Sequence, residues 1–136
     1  MQRLVLVMAM VALFGCAKGE DSALYKVQVQ GAQVAVGGQG TATVRFEGKR
    51  GYHWNPDFPA RLRFGETSGI AMDKSEFKQG AGDFKDDGGV GVVEIPVRAT
   101  APGQMALKGV ADFGVCDEKT CQVFRGVQVE VPINAR

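Results

Sequence analysis

Apolar and polar residues alternate one for one through most of this chain, and a period of two admits strands while excluding amphipathic helices. Tyr25 to Val36 (YKVQVQGAQVAV) keeps the alternation apart from a slip at Gly31-Ala32 that reads as a bulge or bend. Thr41 to Phe46 (TATVRF) resumes it after the turn GGQG, and Ala60 to Phe64 (ARLRF) is another short run. In Val90 to Thr100 (VGVVEIPVRAT), Pro96 points to an edge or irregular position, because proline gives no N–H to a ladder. Gln104 to Val115 and Gln122 to Ile133 are the last and longest pair. Glu66 to Gly89 is charged and glycine-rich, and reads as a long loop with at most one brief strand. No apolar run has helical spacing and caps. The glycines fall between the alternating runs without forming a repeat, which marks turns. Seven or eight short strands at intervals of roughly 10 residues predict an all-β antiparallel sandwich.

The amino terminus follows a different logic. Arg3 precedes an unbroken apolar run, Leu4 to Phe14, that ends in Gly15, the layout of a secretory signal. The run is too short to span a bilayer, which needs roughly 20 apolar residues. Leu13-Phe14-Gly15-Cys16 resembles the bacterial lipobox, and this resemblance implies that Cys16 carries lipid and begins the mature protein. The alternative is an ordinary signal cleaved nearby, with Cys16 a free thiol. Residues 1–15 are thus expected to be a lipoprotein signal peptide, 16–23 a polar tether and 24–136 the folded domain. A diacylglyceryl thioether plus an N-acyl chain gives more than one anchor, enough for stable membrane attachment. Ala17, in place of an aspartate, favours the outer membrane over the inner, with the domain facing the periplasm.

Loss of residues 1–15 removes one charge, Arg3, leaving fifteen basic and fifteen acidic side chains. A neutral exported domain is a poor partner for nucleic acid. One domain of this length buries a core without needing disulfides, and it is expected to be a monomer. Export also permits disulfides. The three cysteines are an odd count, and assigning Cys16 to lipid leaves Cys116 and Cys121 as one natural pair.

If the two long runs form a hairpin, Cys116 and Cys121 face each other across the loop Asp117-Glu118-Lys119-Thr120, within disulfide reach. Closing so small a ring restrains the unfolded chain by only about 2 kcal/mol. Two readings stay open: a bond that exchanges with a partner's thiolate through a mixed disulfide, and a structural staple in a non-enzymatic binding domain. Lys119 would favour a nearby thiolate, while Asp117 and Glu118 would oppose it.

Over roughly Tyr25 to Ile133 the chain resembles the amino-terminal periplasmic domain of the thiol:disulfide interchange protein DsbD. The residues that carry the likeness are Gly51-Tyr52-His53-Trp54-Asn55-Pro56, the charged segment Asp73 to Phe77 leading to Val93-Glu94-Ile95-Pro96-Val97, and the late cysteine pair before Val129 to Ile133. The resemblance implies an immunoglobulin-like sandwich and a redox-active Cys116/Cys121 pair. It further implies a cap loop bearing Phe77 with Asp73 or Glu76 over that pair. Partners would be periplasmic thioredoxin-like or DsbD-like membrane proteins, with any electron donor on a separate chain. No cofactor is expected.

Other constellations are weaker. His53, the sole histidine, makes with two distant cysteines an incomplete metal set. Trp54 is expected in core or rim packing. Gly88-Gly89-Val90-Gly91 lacks a phosphate-loop ending and reads as a turn entering a strand. Asp83, Asp86 and Asp87 miss the EF-hand register and read as a solvated loop face.

Overall fold

A computed structural model describes residues 22–136. The signal segment, Cys16 and residues 17–21 of the tether lie outside the described residues. Eleven strands follow in order: β1 (Tyr25–Gln30), β2 (Ala32–Val34), β3 (Gln39–Gly48), β4 (His53–Trp54), β5 (Arg61–Phe64), β6 (Ile70–Ala71), β7 (Glu76–Lys78), β8 (Phe84–Asp87), β9 (Val90–Ala99), β10 (Gly103–Cys116) and β11 (Cys121–Ala135). One sheet runs β1-β3-β9-β6, with β8 also on β9; the other runs β2-β11-β10-β5-β7, with β4 also on β10. All named pairings are antiparallel except β2 with β11. The protein is therefore an all-β, immunoglobulin-like antiparallel sandwich.

The alternation in the sequence decides which side chains meet between the sheets. On β9, Val93, Ile95, Val97 and Ala99 are buried while Glu94, Pro96 and Arg98 are exposed. On β11, Val127, Val129, Val131 and Ile133 face them across the core. Each such aliphatic side chain contributes about 1.5–3 kcal/mol when fully buried. One end of the core is aromatic. Trp54 stacks on Phe84 at 5.2 Å, Phe46 lies 4.8 Å from Phe113, and Tyr25 meets Phe124 at 4.6 Å.

Three local features differ from, or give content to, the expectations from sequence. The segment expected to be a loop, 66–89, contains β6, β7 and β8, joined by a 3₁₀ turn at Gln79–Ala81. Its strands are two to four residues long, and each pairs with a longer neighbour. The slip at Gly31 is a change of sheet: β1 pairs with β3, whereas β2 crosses to β11. A Cβ on Gly31 would lie 2.2 Å from the Pro132 carbonyl oxygen, so only glycine permits the crossing. Pro96 lies between the residues of β9 that pair with β8 and those that pair with β6, where β9 has a strand on one side only.

β10 and β11 pair along almost their whole lengths, with one irregularity between Ala111 and Phe113. There Arg125 and Gly126 oppose the single residue Asp112, which makes a β-bulge, and Gly126 takes a left-handed φ of 69°. The buried Asp112 carboxylate accepts from the Gly126 N–H at 2.9 Å and faces the Arg61 guanidinium at 3.6 Å. The bulge gives the hairpin register a fixed point of its own, well away from the cysteines.

Candidate functional site

Cys116 and Cys121 are joined by a disulfide at the turn end of the β10–β11 hairpin, with Cα atoms 4.0 Å apart. The turn explains why they meet so closely. The Asp117 N–H donates to the Thr120 carbonyl at 2.9 Å, so these two form a hydrogen-bonded pair. The next pair inward must then be of the closer, non-hydrogen-bonded kind. Asp117 also organises the turn through Oδ1, which accepts from the Lys119 N–H at 2.8 Å and the Thr120 N–H at 2.6 Å. Donation from the Thr120 amide, then from that of Lys119, holds the Asp117 carboxyl below its usual value of 3.8. The Tyr52 hydroxyl lies 3.2 Å from Thr120 Oγ1 and ties the turn to the chain entering β4.

β4 brings a third group to the pair. Val115 pairs with Trp54 and Cys116 with His53, so β4, β10 and β11 place His53, Cys116 and Cys121 in one row across three strands. Val115 and Trp54 are fully buried, and side chains alternate between faces. The row therefore lies on the outer face of the sheet, with His53 and Cys121 exposed and Cys116 half-buried. Two residues suffice for β4 because its neighbours fix it. Trp54 is wedged between Phe84 and Phe113, its backbone N–H donates to the Gly89 carbonyl at 2.8 Å, and the Asn55 backbone N–H donates to the Gly114 carbonyl at 2.9 Å.

Beside the row, Phe58 covers Gly114 and receives the Arg125 guanidinium over its ring, while Val123 is exposed. β11 pairs with β2 only over Ile133–Ala135, so no strand among the described residues pairs with the outer side of 121–132.

The expected cap does not lie over the cysteines. Phe77 is buried in β7, pairs with Leu62 and sits 6.2 Å from Phe64. Leu62 in turn pairs with Ala111, five residues before Cys116 and so roughly 16 Å along β10. Asp73 and Glu76 border an open groove of about 990 Å³, whose apolar lining includes Phe64, Ile70, Met72 and Leu107. These side chains belong to the opposite end of β10. The reason is register: the short strand β7 docks on β5, and β5 meets β10 well before its cysteine.

The remaining sequence candidates are accounted for locally. Trp54 is fully buried in the aromatic core. Gly88 and Gly89 form the turn between β8 and β9. Asp83 binds Lys74 and accepts from the Lys78 N–H, Asp86 accepts from the Gly89 N–H, and Asp87 pairs with Arg45, so the three carboxylates have separate partners. The placement of His53 beside Cys116 is what sequence reasoning missed. No local signal carried it, because the pairing joins distant segments.

The fold and the row of side chains define an all-β sandwich with a surface disulfide. Several solved structures match at low identity and with TM-scores below 0.5. Domains 4 and 5 of the S-layer protein SbsC match with 16% identity and a TM-score of 0.39, over 82% of this chain and 51% of that one, about half its length. A non-cellulosomal cohesin from the archaeon Archaeoglobus fulgidus matches with 10% identity and a TM-score of 0.41, over 84% and 92%. A PapD-like domain of human CEP192 matches with 10% identity and a TM-score of 0.36, over 98% of each chain. No family model and no curated protein matches the chain.

Proposed function

We propose that this protein is a lipid-anchored periplasmic thiol–disulfide exchange domain that passes electrons to or from partner proteins through Cys116 and Cys121. The observation that carries the reading is that the bond links two residues already paired by the sheet. β10 and β11 hold their register through the bulge at Asp112, and Asp117 closes the turn. A bond that adds only about 2 kcal/mol of chain restraint is poorly explained as a device for holding the hairpin. The resemblance to the DsbD amino-terminal domain supports the same reading, as does the lipobox-like segment ending in Cys16. Thioredoxin-like or DsbD-like membrane proteins are the corresponding partners.

The step follows ordinary exchange chemistry. A partner thiolate attacks the sulfur of the exposed Cys121, the Cys116 sulfur leaves with the bonding pair, and a mixed disulfide forms. The partner's second thiolate then attacks its own sulfur in that mixed disulfide and releases Cys121. The partner dithiol is oxidised to a disulfide, and this pair is reduced by two electrons to two thiols. The reverse sequence runs electrons outward.

Two measurements test the reading: the reduction potential of the pair, and trapping of a mixed disulfide with a thioredoxin-like protein by the Cys116→Ser variant, which leaves Cys121 free. Exchange predicts a potential above about −300 mV and a trapped adduct. A potential well below that value with no adduct would identify a structural staple in a binding domain.

A further inference from the structure

The row across β4, β10 and β11 gives Cys116 a neighbour that Cys121 lacks. His53 is its register partner on one side, and Cys121 is its partner on the other. Directly opposed residues share a face with Cβ atoms roughly 4.5–5.5 Å apart, within reach of an imidazole. The backbone of His53 is held in place by Trp54, which is fixed in the core, and Gly89 lies close by, where an added Cβ would come within 3.2 Å of the His53 Cβ.

We infer that the His53 imidazole stabilises the Cys116 sulfur as it becomes a thiolate, making Cys116 the better leaving group of the two cysteines. This rests on the exchange reading above and adds to it the residue that governs its pH dependence. A thiolate beside an imidazolium is favoured, and a more stable thiolate leaves faster. When Cys116 leaves with its electron pair, His53 holds the compensating proton; when Cys116 later attacks a mixed disulfide, it does so as the thiolate of that ion pair. The charged groups on the elements around His53 are Asp86 and Asp87 at the β8–β9 turn, and Asp117, Glu118 and Lys119 at the hairpin turn. Asp86 is engaged by the Gly89 N–H, Asp87 by Arg45 and Asp117 by the turn amides. Cys116 is the register partner that faces His53 from β10.

The test is the rate of reduction by dithiothreitol from pH 5 to 8, expressed per dithiothreitol thiolate, for the wild type, His53→Gln and His53→Lys. Histidine is the side chain that ordinarily changes charge across this range. The wild-type rate is expected to rise as pH falls, while His53→Gln stays flat and is about tenfold slower at the acidic end. His53→Lys, whose charge is fixed, should keep the fast rate at every pH and show no inflection. Equal melting temperatures for the three proteins exclude a structural cause, because His53 is exposed. A His53→Gln profile that superimposes on the wild type overturns this inference while leaving exchange intact. Failure of the exchange reading is seen separately, as a low potential with no mixed disulfide.

Discussion

The two ends of β10 differ in what they offer. At the cysteine end, three strands carry His53, Cys116 and Cys121 on an outer face, and the space behind is filled by Trp54, Phe84 and Phe113. At the other end, near Leu107, the sheet gives way to an open groove bordered by Asp73 and Glu76. The disulfide and His53 lie on a filled surface, and the groove lies where the described residues place no cysteine or histidine. On the exchange proposal, a partner for the disulfide would meet it on this open strand surface, as one protein meets another. The groove, by contrast, has shape without sulfur chemistry.

Three measurements can break or sharpen this contrast. The largest effect is expected from Phe77→Ala at the groove end, which should cost about 3–5 kcal/mol in urea unfolding because the ring is buried. Its folded form should react with dithiothreitol at the wild-type rate; a faster rate would show that Phe77 shields the cysteines after all. Removing the bond with Cys116→Ser and Cys121→Ser together should cost only about 2 kcal/mol in the same assay. A loss as large as that of Phe77→Ala would move the bond from chemistry to architecture. The smallest effect is electrostatic. The lowered Asp117 carboxyl stabilises the fold fully above its ordinary value of 3.8, and that contribution is lost as pH falls from there through the lower folded-state value. Asp117→Ala should flatten this part of the acid-unfolding curve, measured by circular dichroism, and leave unfolding near neutral pH almost as cooperative as before.

The long strands were legible because one face of each is buried, and burial imposes the period of two over ten or more residues. The cysteine hairpin was legible for the same reason. β6, β7 and β8 were hidden because a strand of two to four residues is too short to display a period, and theirs sit among Asp73, Lys74, Asp83, Lys85 and Asp86. Gly31 announced an irregularity, but a slip in alternation does not say whether a strand bulges or changes sheets. The row at His53 depended on which distant strand docks beside β10, a matter of register. The same gap separates the resemblance-based cap at Phe77 from the place where β7 pairs.

The parallel contact of β2 with β11 also bears on how the chain reaches this shape. Ala32 pairs with Ile133, so the sheet that bears the cysteines is completed only by joining segments about a hundred residues apart. Such non-local closure is slow, in the millisecond-to-second range for all-β domains. During synthesis the early strand must wait for the last one to arrive. Until it does, the Gly31 crossing has nothing to cross to, and β1 alone can begin its work by pairing with β3.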